Sequence, residues 1–235
     1  MQRLYERVAL SICAIALTVV AASSLSARVG AATHDERFDE LTVRRLRVVD
    51  ASGATRLLLS GKPVPPGTID GKHLPSERSG FDGAGLMFYN DQGDEQGGLT
   101  YSGRNGQQGE ALTFDAWHQD QALEIQHRDD ANGSDSYVAG SELRKTSLYD
   151  DLVPYQREIA AAHTDAERQA IRSRYRSEGK FGRRRFLVGN RGGVSELALH
   201  DANGRVRLHL SVTAAGEARV EFLDARGVVM KSITP

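Results

Sequence analysis

The chain has 235 residues, a formal net charge of −1 and a single cysteine, Cys13. This charge balance argues against general affinity for nucleic acid, and one cysteine excludes an intramolecular disulfide and a zinc site of the cysteine type. The 24 glycines and the low aromatic content of 6% are typical of a domain with many turns around a modest core.

The first element in chain order is an apolar segment from Val8 to Ala27, which follows residues 1–7 and precedes a polar stalk, residues 28–40. Arg3 and Arg7 before the segment, with acidic residues after it, predict a cytoplasmic N-terminus and an extracytoplasmic remainder. About 20 apolar residues suffice for a membrane-spanning anchor, whereas small residues at the segment's end suit signal cleavage. We therefore expect a single-pass protein of the bacterial inner membrane, with a secreted or periplasmic protein as the alternative.

Residues 41–235 are predicted to form one all-β domain of antiparallel hairpin repeats. Asp-Ala-x-Gly turns begin at Asp50, Asp201 and Asp224, and an aspartate followed three residues later by glycine is typical of a type I turn that closes a hairpin. Alternation of apolar and polar residues after a turn, as in Val206–Val212, indicates a half-buried strand. The C-terminal third is therefore predicted to be an antiparallel meander.

Three further hairpins are predicted in residues 84–103, 111–130 and 186–201, where apolar runs flank polar or glycine-rich turns. Residues 62–83 hold four of the six prolines and are predicted to be an irregular loop rather than a strand pair. The spacing of the hairpins is too irregular for a strict solenoid.

Residues 151–179 interrupt the β pattern and favour an inserted pair of helices. Thr164 and Glu167 have the spacing of a capping box at the start of the second helix. Gly179 is placed to end that helix.

Two acidic turns are the candidates for chemistry. Asp91 and Asp94 share one turn, while Asp115 and Asp120 flank His118 in another. Paired carboxylates could hydrolyse a glycoside, and a histidine near carboxylates could act as a base or a metal ligand. Solvated turns need neither role, and no familiar hydrolase or metal motif occurs. We expect no catalytic residue, metal or cofactor, and the alternative is an envelope hydrolase that uses these four carboxylates.

The densest positive charge lies in and after the helical insert. Contact with anionic lipid headgroups or an acidic partner is predicted for Arg168, Arg172, Arg176, Arg183 and Arg184. The first three recur every four residues and so form one stripe on the second helix. A solvated helix face is the competing interpretation.

Four stretches after the apolar anchor carry a family resemblance: LTVRRLRVVDASGATRLLLSG, GLMFYNDQGDEQGGL, LTFDAWHQDQALEI and LALHDANGRVRLHLSV. Together they resemble a family of uncharacterised bacterial membrane-anchored β-hairpin-repeat proteins, over most of residues 38–229. The family is similar to the β-flower fold, in which hairpins radiate around a shallow barrel with an apolar centre. The resemblance implies a shallow barrel or meander tethered to the membrane. By analogy of fold it implies a lipid-like or peptide ligand, and it supplies no catalytic residue.

Overall fold

The computed structural model describes residues 36–65, 67–73 and 83–235. The predicted anchor or signal, Val8–Ala27, lies outside the described residues. Every described strand and helix belongs to one compact unit, Val43–Pro235, so this unit is a self-contained fold.

Fourteen strands account for about half of the described residues. They are β1 (Arg45–Val49), β2 (Thr55–Ser60), β3 (Thr68–Ile69), β4 (Lys72–His73), β5 (Ala84–Tyr89), β6 (Glu95–Arg104), β7 (Gln107–Asp115), β8 (Gln121–Asp130), β9 (Gly133–Glu142), β10 (Arg183–Arg191), β11 (Val194–His200), β12 (Val206–Val212), β13 (Ala218–Leu223) and β14 (Val229–Ile233). Twelve of them form a single antiparallel sheet, in which each strand pairs with its neighbours along the chain from β1 to β14. The prediction of antiparallel hairpins is confirmed, and the sheet is a meander.

The remaining two strands correct the interpretation of residues 62–83 as a loop without strand pairing. β3 and β4 form a two-stranded hairpin of their own, closed by Asp70 and Gly71, which both have positive φ. Strands of two residues leave no room for the alternation that reveals longer strands in sequence.

The helical insert is confirmed as α1 (Tyr149–Ala161) and α2 (Asp165–Ser177). Thr164 and Glu167 form the complete capping box at the start of α2. After α2, the N–H of Gly179 donates to Arg176 and the N–H of Lys180 donates to Tyr175, which is the Schellman arrangement. The rings of Tyr155, Tyr175 and Phe181 pack together with centroids 5.0–5.7 Å apart.

The repeated aspartate turns share one hydrogen-bond pattern. In the third hairpin from the C-terminus, Oδ1 of Asp201 accepts the N–H groups of Asn203 and Arg205 at 2.8 and 3.1 Å, and Gly204 takes φ +76°. These backbone bonds hold the pKa of Asp201 below its ordinary value. Because the folded-state pKa is lowered, this turn stabilises the fold above the ordinary carboxylate pKa of about 4, and the contribution is lost as the pH falls.

The two faces of the sheet differ in what covers them. We call the face that carries Leu58, Met87, Ala139 and Leu187 the mixed face; these side chains are buried. Val64, from the loop after β2, packs there against Leu58 and Met87. The opposite face, which we call the apolar face, is the more exposed one.

Candidate functional site

The apolar face carries an unbroken row of aliphatic side chains, one from each of the twelve strands. Successive members are direct register partners on adjacent strands. The row consists of Leu46, Leu59, Leu86, Leu99, Leu112, Ile125, Val138, Val188, Leu197, Leu210, Val220 and Ile233. At about 4.8 Å per strand, its contour length is about 50 Å.

A second apolar row lies two residues along each strand, toward the end of the sheet that holds the aspartate turns. Its aromatic members are Phe88, Phe114, Phe186 and Phe222. Phe88 and Phe114 stack with centroids 6.4 Å apart, and a Cβ added at Gly140 would meet the ring of Phe186. The aromatic rings therefore fill the spaces left by glycine in this row.

Both rows face solvent to an extent that is unusual for a β domain. Most members of the first row, including Ile125 and Val188, keep 36–49% of their surface exposed. Together the two rows make an apolar band about 50 Å long and about 10 Å wide, which is an area on the order of 500 Å². Contiguous apolar patches of this size are often interaction or ligand sites.

Two grooves follow the first row and meet at Val188 and Gly189. The groove of about 630 Å³ runs over Leu197, Leu210 and Val220 towards β14. The groove of about 480 Å³ runs in the other direction over Val138, Ile125 and Leu99. Their volumes fall in the range of small-molecule sites.

The smaller groove has a polar wall, which distinguishes it from the larger one. Glu110, His127 and Ser136 line it and are register partners on β7, β8 and β9. His127 is fixed by Ser136 at 2.8 Å and by Asp129 at 3.2 Å. The corresponding wall of the larger groove holds Ser195, Val212 and Ala218. The wall of the smaller groove therefore carries a carboxylate and an imidazole, which the corresponding wall of the larger groove lacks.

Charged side chains of the mixed face pair with one another across the strands. Arg184 bonds Glu124 at 2.9 Å, and Glu196 lies 3.0 Å from Nε2 of His209, whose Nδ1 is 3.6 Å from Glu221. Burial raises the pKa of the neighbouring Tyr137 hydroxyl, helped by the negative charge of Glu124. These ion pairs lie within the domain, across the strands of the mixed face.

Two of the four carboxylates of the hydrolase alternative, Asp91 and Asp94, have different partners although they share a turn. Asp91 is exposed and pairs with Arg56 at 2.9 Å. Asp94 is 3% exposed, and its Oδ1 accepts the N–H of Gly71 at 3.0 Å. Asp115 ends β7, and Asp120 stands before β8 in the next turn.

Asp94 instead meets His118, and a third residue joins them. Nε2 of His118 lies 3.5 Å from Asp94, and Nδ1 lies 3.5 Å from Asp70. The two carboxylates occupy opposite sides of the imidazole, so one metal ion cannot reach all three groups. Trp117, 62% exposed, stacks on His118 at 4.6 Å. The arrangement ties three turns together.

The five arginines of the predicted basic surface differ in their partners. Arg168 bonds Asp165 and the carbonyl of Ala162. Arg183 donates to the carbonyl of Asn203, and Arg184 is held by its glutamate on β8. Within the described part of the chain, Arg172 and Arg176 make no side-chain hydrogen bond or ion pair, and both are exposed.

Among the described residues, no cluster of three or more histidine, cysteine or acidic side chains could hold a metal ion. No helix in the described ranges is long and apolar enough to cross a membrane. No protein-family model, curated protein or solved structure shows significant similarity to the chain.

Proposed function

We propose that this chain is a membrane-tethered, extracytoplasmic binding module that holds a lipid-like, amphipathic ligand on the apolar face of its sheet. The observation that carries the proposal is the unbroken twelve-residue aliphatic row with the grooves along it. Tethering rests on the basic-then-apolar pattern of residues 1–27. The β-flower resemblance agrees with this proposal, since that fold also has an apolar centre.

The physical basis of binding is removal of apolar surface from water. The band has an area on the order of 500 Å², and burying it would contribute about 10 kcal/mol of favourable binding free energy before the costs of immobilising a ligand are subtracted. The wall of Glu110, His127 and Ser136 gives the ligand a place for a headgroup, and the aliphatic row gives it a place for a chain. The mixed face offers no comparable surface, because Leu58 and Leu187 there are buried.

Native mass spectrometry with lipid extraction tests the proposal on residues 36–235 purified from cells. We expect a stoichiometric amphiphile bound to the natural sequence. Val188→Glu places a charge where the two grooves meet and should reduce occupancy about tenfold or more, because the buried charge would lie beside the ligand's apolar chain.

Gln96→Glu is the matched control, because it adds the same charge at an exposed position on β6 outside both grooves. Its occupancy should equal that of the natural sequence. A bare protein from every preparation, or equal occupancy in both variants, contradicts a ligand on the apolar face.

We propose further that the free arginines of α2 orient the domain on an anionic membrane. Each arginine near such a surface contributes about 1 kcal/mol, so Arg172→Gln with Arg176→Gln should weaken binding to phosphatidylglycerol vesicles about thirtyfold. Vesicle co-sedimentation measures this. Replacing the exposed Arg104 and Arg205 by glutamine is the control, and an equal loss there would show that only net charge matters.

A further inference from the structure

The end of the combined groove that holds Glu110, His127 and Ser136 carries a carboxylate in its wall. Glu110 lines it, and Asp129 stands beside its histidine, with Nε2 of His127 at 3.2 Å. A hydrogen bond from Ser134, with a further one from His127, holds the pKa of Asp129 below its ordinary value, so that carboxylate is ionised at neutral pH. Neither lysine nor arginine is among the residues that line this groove. Asp129 also borders a separate pocket that Lys62, Arg104 and Arg128 line, so Glu110 is the carboxylate that gives the groove its preference for a positively charged group.

One acceptor at this end is without a partner. Oε2 of Glu110 is shut off from solvent and has no hydrogen-bond partner among the described residues. The neighbouring side chains already have partners. Nδ1 of His127 contacts the hydroxyl of Ser136, and Nε2 of His127 contacts Asp129. A closed-off carboxylate oxygen without a donor is costly, and rotation of the Glu110 side chain towards a ligand that supplies an N–H removes the cost.

The geometry points to a single-chain amphiphile with a protonated amine as the ligand: the ammonium binds Glu110, and the hydrocarbon chain lies along the aliphatic row across Val188 towards β14. This inference rests on the proposed function and specifies its ligand class. From β7 to β12 the row crosses five strand intervals, which is about 24 Å of apolar floor for the chain.

The alternatives fit these observations less well. An anionic headgroup would stand between Glu110 and Asp129 without a lysine or arginine in the groove lining. A neutral alcohol could donate a hydrogen bond to Glu110 but would gain no electrostatic attraction to the negative charge of the carboxylate. Tyr101 is the register partner of Glu110 on β6 and is 46% exposed, and an aromatic ring beside the site adds to its preference for a cation.

The test compares three probes with the same chain: dodecylamine, dodecanol and dodecanoate, each titrated below its micelle concentration against delipidated residues 36–235. We expect the amine to bind at least about tenfold more tightly than the alcohol, the increment of one charge-assisted hydrogen bond. Dodecanoate should bind most weakly. Glu110→Gln should remove the amine's advantage while leaving the affinity for dodecanol unchanged, which also shows that the variant is folded.

Glu178→Gln is the matched control, because it removes the same charge from the end of the helical insert; the amine preference should persist in it. Equal affinities for the three probes, tightest binding of dodecanoate, or an amine preference that survives Glu110→Gln overturns the inference while the proposed function stands. Binding of no probe, together with a dimer in sedimentation, overturns both and assigns the apolar face to a second copy of the chain.

Discussion

Replacing Gly189 by alanine is expected to destabilise the domain by about 3 kcal/mol, the upper part of the range for overpacked sites. A Cβ at this position would lie 2.2 Å from the carbonyl oxygen of Ser136 and 2.5 Å from Cα of Tyr137. Both are backbone atoms of β9, so no side-chain rotation relieves the contact. Strands β9 and β10, which lie near the centre of the sheet, would have to separate.

Gly109→Ala is the matched control on β7. The nearest atom to its Cβ would be the carbonyl oxygen of His127 at 3.9 Å, so the added methyl group fits. Because alanine lowers the conformational entropy of the unfolded chain, the free energy of unfolding should stay unchanged or rise by about 0.5 kcal/mol. Urea unfolding of both variants measures the difference, and equal stabilities would show that β9 and β10 do not approach as closely as described.

The same close approach has a functional consequence. Gly189 lines both grooves, and the contact between β9 and β10 fixes the relative position of Val138 and Val188, which are register partners in the aliphatic row. A variant that separates the strands should therefore lose ligand as well as stability. Gly109→Ala should keep both.

Local chemistry explains which parts of the fold were predictable. The aspartate turns and the alternating strands were predicted because both signals depend only on residues close together in the sequence. The first is the Asx turn, and the second is the alternation of apolar and polar side chains. The capping box at Thr164 and the glycine stop at Gly179 are equally local. Strand β9 was missed because its sequence, GSDSYVAGSE, has small and polar residues where the pattern expects large apolar ones.

The candidate site was beyond prediction because it depends on register. Each aliphatic residue of the row is visible in the sequence, but their alignment into one line requires all eleven strand pairings of the sheet. Contacts between distant segments are hidden in the same way. Asp70 meets His118 across 48 positions, and Arg184 meets Glu124 across 60.

Asp151→Asn is the second substitution with a large expected effect, because this carboxylate fastens the helical insert. Asp151 is 4% exposed, and its oxygens pair with Arg144, before α1, and with Lys180, after α2, the latter at 3.1 Å. The asparagine side chain has nearly the same volume as aspartate but no negative charge. Its NH2 group would face either Arg144 or Lys180, which are themselves donors. Removal of one partner from a buried pair costs 3–5 kcal/mol; because both cations are partly exposed, we expect about 2–3 kcal/mol.

The neighbouring Asp150→Asn is the control, since Asp150 is exposed and should change stability by less than about 0.5 kcal/mol. Urea unfolding gives the two free energies, and circular dichroism reports whether helix is lost before strand. If the insert is fastened as described, Asp151→Asn should release α1 and α2 first and should weaken vesicle binding through Arg172 and Arg176, while amphiphile binding on the apolar face persists. Simultaneous loss of helix, strand and amphiphile would contradict this separation, because it would make the insert part of the sheet's cooperative core.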